Sequence, residues 1–208
     1  MTKKYDEHHN CCYDVVMTTA PSRREITHER IVDVAARTLR RNGFDGVGVA
    51  DVMKQAGLTH GGFYAHFESR EALLAEAVER AGRESGTRMR ERVDASLARG
   101  ESGLRTVIES YLSEAHLTGA ESGCVVAALS SEMPRQSATV AAPAMNRVRK
   151  LIALVQHAMP GGSKEQAMVV ASTLVGTLQL ARALGANAQG KALLAASRDA
   201  LIAQYVTE

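Results

Sequence analysis

The chain has 208 residues, room for one large domain or two small ones, and its apolar share of 45% is enough to build a sizeable core. Lysine and arginine total 25 against 23 acidic residues, a formal charge of +2, so bulk charge carries no nucleic-acid signature. Cys11, Cys12 and Cys124 form no CxxC pair, which disfavours a disulfide framework or a four-ligand zinc site and fits a reducing cytoplasm; aromatics at 4% without tryptophan disfavour a stacking platform for single strands.

Residues 1–20 mix charge, histidine and cysteine without period and are expected to form a disordered tail. The opening MTKKYDEHHNCC lacks the apolar run of a secretory signal, and Met17 offers a second start, so the native status of residues 1–16 stays open. His8, His9, Cys11 and Cys12 are suitable ligands for a soft metal, but a tail does not hold them in place, and no metal or cofactor is expected. The most apolar stretch, 167–181, is interrupted by Ser172, Thr173, Thr177 and Gln179, so no membrane span is expected.

After Pro21, Ser22 and Glu25 have capping-box spacing, and Ile31, Ala35 and Leu39 at four-residue steps predict a helix over 22–42 that stops at Gly43. A short helix is predicted over 49–56 with Val49, Val52, Met53 and Ala56 on one face, then a turn at Ala56-Gly57-Leu58-Thr59. Thr59 is placed to cap a third helix over 60–66, whose Phe63 joins Phe67 in a small core. Ser69 is placed to cap a fourth helix with the stripe Leu73, Leu74, Ala77, Val78 and Ala81. Further helices are predicted over 87–98, 102–117, 122–133, 140–159, 163–184 and 189–206, with breaks at Gly100, Gly119, Pro134 and 160–162. No period-two alternation is long enough for a strand, so the chain reads as all-α.

Two short helices joined by a glycine-containing turn form the helix-turn-helix unit, whose second helix enters the major groove. The run GFDGVGVADVMKQAGLTHGGFYAHFESREALLAEAV resembles the N-terminal domain of the TetR family of bacterial regulators, over about residues 22–81. It departs from the family pattern at Val47 and Gly48, where hydroxyl residues are usual, so a common phosphate contact is missing. The resemblance implies an N-terminal three-helix DNA-binding domain at 21–68, followed by a helical ligand-binding and dimerisation domain at 69–208. It implies Thr59, Tyr64, His66 and Arg70 as phosphate-facing residues, with His60, Gly61 and Gly62 at the edge nearest the bases. Arg23 and Arg24 are further phosphate candidates, with Arg30 and Lys54 behind them. The adjacent glycines point either to close backbone approach to the duplex or to local flexibility that orders on DNA.

The resemblance also implies a cytoplasmic homodimer on a palindromic double-stranded operator, with repression as the default and release by a small-molecule effector. Residues 163–184 are apolar nearly all round and are expected to be buried against the partner, with 140–159 beside them. The effector site is expected among Met89, Val107, Tyr111, His116, Cys124, Ala128, Met133, Met145 and Gln179. That lining favours a mostly apolar ligand and no charged one. Cys124, near the start of a predicted helix, is either a small core residue or a thiol open to electrophiles and oxidants. Two rivals are a protein of the same fold without operator binding and a helical enzyme pairing Cys124 with His116 or His157; no serine elbow, phosphate loop or ligand spacing supports the enzyme.

Overall fold

The computed structural model describes residues 20–206; the predicted tail, with its histidine and cysteine group and Met17, lies outside them but for Ala20. Among the described residues all regular structure is helical. The chain opens with α1 (Arg23–Asn42), whose Ser22 and Glu25 form the expected capping box, and continues to α2 (Val49–Gln55). Gly57, at φ +71°, supplies the left-handed residue that lets the turn after α2 close.

The next segment, His60–Ala65, is a 3-10 helix where the sequence pattern predicts an α-helix. Two consecutive glycines remove the side-chain packing and propensity that would hold a full α-turn, so the segment stays in the tighter, shorter form. Thr59 has the extended backbone of an N-cap, but its hydroxyl makes no capping bond.

The predicted helices around 69–81 and 87–98 are one continuous rod, α3 (Arg70–Ala98), capped by Ser69, which accepts from the amide of Ala72 at 3.1 Å. It packs on α1 at one end and along a later helix, α7 (Ala138–His157), at the other. The helix passes through Gly82 because a Cβ there would overlap Cδ of Arg147, a buried residue of α7 whose guanidinium pairs with Glu79. A missing side chain on one helix thus seats a charged one from the other.

The predicted helix over 102–117 is split into α4 (Gly103–Tyr111) and α5 (Glu114–Thr118), because Ser113 accepts from the amide of His116 and starts a new helix. The region 122–133 is likewise reduced to α6 (Val125–Leu129), with 3-10 turns at Ala120–Ser122 and Met133–Arg135. After α7 come two more long helices, α8 (Lys164–Leu184) and α9 (Ala188–Tyr205).

Two apolar clusters result. One joins α1, α2, Phe63 and Phe67 to α3, and runs on into Val125, Val126 and Leu129 of α6 and Val140 and Ala144 of α7. The other joins α4, α7, α8 and α9 around Ile108, Val155, Leu174 and Leu178. By length and composition α8 is apolar enough to cross a membrane, but one face is buried against α7 and α9. Its opposite face, expected to be buried, is open in the single chain: Met168, Val169, Leu184 and Leu180, the last 61% exposed.

Replacing Gly82 by alanine displaces Arg147 from its packed position beside Glu79, so despite its better helix propensity Gly82→Ala should cost roughly 1–3 kcal/mol in urea denaturation. An unchanged midpoint would show that Arg147 is not held by this contact.

Candidate nucleic-acid interface and ligand cavity

The helix-turn-helix is built on a small core in which Phe63 stacks on Phe67 with ring centroids 5.5 Å apart and Met53 closes the other side. Packing Phe63 inward turns Tyr64 out: it is 72% exposed, beside exposed Thr59, His60 and Gly61. These four form one open face. A Cβ at Gly61 would meet nothing within 4 Å, and one at Gly62 only Met53 Cε at 3.7 Å and the Thr59 hydroxyl at 3.9 Å, so the free protein has no steric need for either glycine.

Three of the residues expected to face phosphate also make contacts within the chain. Arg70 is half-buried: its Nε donates to the carbonyl of Val47 at 2.9 Å and its Nη2 to that of Phe44, so it fixes the loop between α1 and α2 from within. Its sequence position at the start of a helix suits an anion contact, but the loop carbonyls reach it first. His66 is also half-buried, with Nδ1 enclosed and unpartnered. Burial, with help from His28 and Arg24, lowers its pKa and favours the neutral ring. Arg24 donates to the carbonyl of Ala65 at 2.9 Å and so ties α1 to the end of the 3-10 helix. Arg23, Arg30 and Lys54 are exposed.

His28 carries no mark in the sequence. It stacks on Phe67 with centroids 4.5 Å apart and lies 2.7 Å from a Glu76 oxygen, holding α1, the recognition segment and α3 together. No local pattern reveals it, since both partners lie far along the chain, Glu76 being 48 residues away.

The body contains a cavity of about 640 Å³ between α3, α4, the 113–126 region and α7. Of the expected effector residues it gathers Met89, Val107, Tyr111, His116 and Cys124. Met133 and Ala128 pack with the first apolar cluster, Met145 is exposed on α7, and Gln179 donates to the Ser130 hydroxyl at 2.9 Å; none of these lines the cavity. The break of 122–133 into short turns moves Met133 away, and Met145 falls on the outer face of α7.

His116 has no free nitrogen. Its Nδ1 lies 2.8 Å from the carbonyl of Tyr111 and its Nε2 accepts the amide of Cys124 at 3.0 Å, which fixes the proton on Nδ1. Burial holds its pKa down to about 4. The lone pair that a base would need is taken by the Cys124 backbone, so this pair is not a nucleophile and base. Cys124 lines the cavity as the N-cap of a five-residue helix, shorter than expected. Beside it the Tyr111 hydroxyl is buried against the Cys124 thiol, with no partner in good hydrogen-bonding geometry.

The expectation that no charged ligand is indicated does not fit the mouth of this cavity. Because α3 is continuous, Arg83, Arg88 and Arg92 reach it together, with Lys150 from α7. Taken as one helix, residues 70–98 bring these positions together; taken as two, they fall in a break and on a second surface.

Comparison with known proteins places this geometry. The profile described as "Bacterial regulatory proteins, tetR family" matches residues 31–77. A helix-turn-helix transcriptional regulator of Mycobacterium tuberculosis is 31% identical over 169 residues, 74% of this chain and 83% of that protein. The transcriptional repressor NemR of Escherichia coli K12 is 28% identical over 171 residues, 79% of this chain and 84% of its own. The crystal structure of NemR in its reduced form shares the fold, with a TM-score of 0.68 at 23% identity over 84% of this chain and 96% of that one.

Two tests arise from these sites. An unfolded histidine, with a pKa near 6.5, takes up a proton before folded His116 does, so its contribution is complete above that value and is lost as pH falls toward 4. Denaturation at pH 7.5 and pH 5 should differ by about 2 kcal/mol more in the native chain than in His116→Asn; equal differences would remove the assignment. The double change Gly61→Ala and Gly62→Ala should raise or preserve thermal stability while weakening binding to a selected operator at least about tenfold if the backbone approaches the duplex. Unweakened binding would leave flexibility as the reason for the glycines.

Proposed function

The chain belongs to the TetR family of bacterial regulatory proteins and is a transcriptional regulator, and we propose that it is a cytoplasmic homodimeric repressor released from a near-palindromic operator by a small, mostly apolar effector. One observation carries this reading. The segment that walls the cavity, residues 119–124, is also the segment that Arg40 and Arg41 of α1 grip, through the carbonyl and carboxylate of Glu121. Whatever fills the cavity therefore presses on a strap tied to the DNA-binding head.

In this reading residues 21–68 bind DNA and residues 69–208 bind effector and partner. Thr59, Tyr64 and Arg23 contact phosphate, His60 reads a base edge, and Gly61 and Gly62 let the backbone close on the groove. Arg24, His66 and Arg70 hold that face in position. The open apolar face of α8, with Met145 of α7, is the surface the twofold partner covers. Gly176 lies on α8 with open space where a Cβ would be, which leaves room for a helix to come close. Repression follows the relative in Escherichia coli, whose name carries that activity. An effector that fits the cavity better in one spacing of the two heads shifts the population toward it and off the operator.

Selection from a random DNA pool should return a sequence with twofold symmetry, and light scattering should give the mass of two chains at micromolar concentration. Tyr64→Phe should weaken all sequences alike, whereas His60→Ala should relax preference at one position in each half-site. A pool that enriches nothing would sink operator binding, and a monomer would sink the dimer.

A further inference from the structure

The cavity between α3, α4 and α7 has two ends of different chemistry. The inner wall is largely apolar, with Met89, Val107, Val126 and Leu151. The Tyr111 hydroxyl is buried there without a partner. Neither nitrogen of the neighbouring His116 ring is open to a ligand, because both are held by backbone groups. With that hydroxyl sealed off beside the Cys124 thiol, the interior offers a ligand mainly apolar surface.

The mouth is cationic. Arg147 is neutralised by Glu79 and Arg90 by Asp94. Arg88 spends one N–H on the carbonyl of Ser122, at 2.7 Å, and keeps its charge. Arg83, Arg92 and Lys150 form no ion pair among the described residues, and Glu91 is the one carboxylate in the lining. Four exposed cations against one acid, around an opening with apolar walls, concentrate positive potential where a ligand enters.

Taking this cavity as the effector site, on which the assignment rests, we propose that the effector is an apolar molecule that carries a carboxylate. The carboxylate rests among Arg83, Arg88, Arg92 and Lys150, and the body fills the apolar interior. The mouth selects the charge.

Calorimetry on the full chain tests this with two sets of probes, so that the shape of the body does not decide the outcome. One set is dodecanoate and methyl dodecanoate; the other is 2-naphthoate and methyl 2-naphthoate. In at least one set the acid should bind about tenfold more tightly than its ester. Combined Arg83→Ala, Arg92→Ala and Lys150→Ala should bring the acid down to the affinity of its ester and leave the ester unchanged. Esters that bind as tightly as acids overturn the proposal and leave an apolar effector site standing. Binding of no compound in either set overturns both.

Discussion

Arg40 carries a charge that it cannot lose by giving up a proton, and the fold buries it. Burial disfavours the cation and Glu84 restores it, with two guanidinium nitrogens each 3.1 Å from one carboxylate oxygen. Two further donors go to main-chain carbonyls, Ala81 of α3 at 3.2 Å and Glu121 in the strap. One side chain of the head thus binds the central rod and the wall of the cavity at once. A buried pair is weak evidence of net stability, but removing one partner strands a charge, so the arrangement tolerates little slack. That intolerance gives a small displacement of the strap a consequence at the DNA-binding face.

The head is oriented by a second set of polar contacts on its other side. The amide of Phe44 donates to Glu132 at 2.9 Å, and the carbonyls of Phe44 and Val47 accept from Arg70, so the irregular loop between α1 and α2 has its backbone groups satisfied by side chains from two other elements. Beneath these contacts the first apolar cluster passes without a break from Phe63 and Leu39 to Leu129 and Ala144. The packing of residues 21–68 is therefore shared with the residues that follow. Movement between head and body has to slide α6 and α7 against α1 and α3, packed interfaces that have discrete arrangements.

How much of this was legible in the sequence is set by the range of the forces involved. Caps act over three residues and amphipathic stripes over four, so Ser22, Ser69, Gly57 and the Ile31, Ala35, Leu39 series are all readable locally. Two places where helix boundaries depart from the local pattern depend on contacts or caps that periodicity does not weigh. Gly82 looks like a weak point in a helix until Arg147, from another helix, is seen to occupy the space. Conversely, 102–117 has helical periodicity throughout, yet Ser113 restarts the helix and turns His116 toward Tyr111 and Cys124. Residue type alone points to five of the cavity residues, but nothing local in the chain ranks them above Met133, Met145 or Gln179.

The arginines explain why net charge is so poor a guide. Arg40, Arg70, Arg80, Arg147 and Arg182 are internal struts, bound to carboxylates or main-chain carbonyls, and offer little to a polyanion. Arg83, Arg88 and Arg92 surround the cavity mouth, remote from the helix-turn-helix. The exposed cations left near that face, Arg23, Arg24, Arg30 and Lys54, are few, and Asp51 and Glu68 are exposed near them. Affinity for DNA in such a head cannot rest on a broad basic surface. In the proposed dimer it depends on two copies held at the right spacing, each placing a few hydroxyls and one bare stretch of backbone in a groove. A protein that bound this way would be sensitive to the distance between its heads, which is the quantity the proposed effector would change.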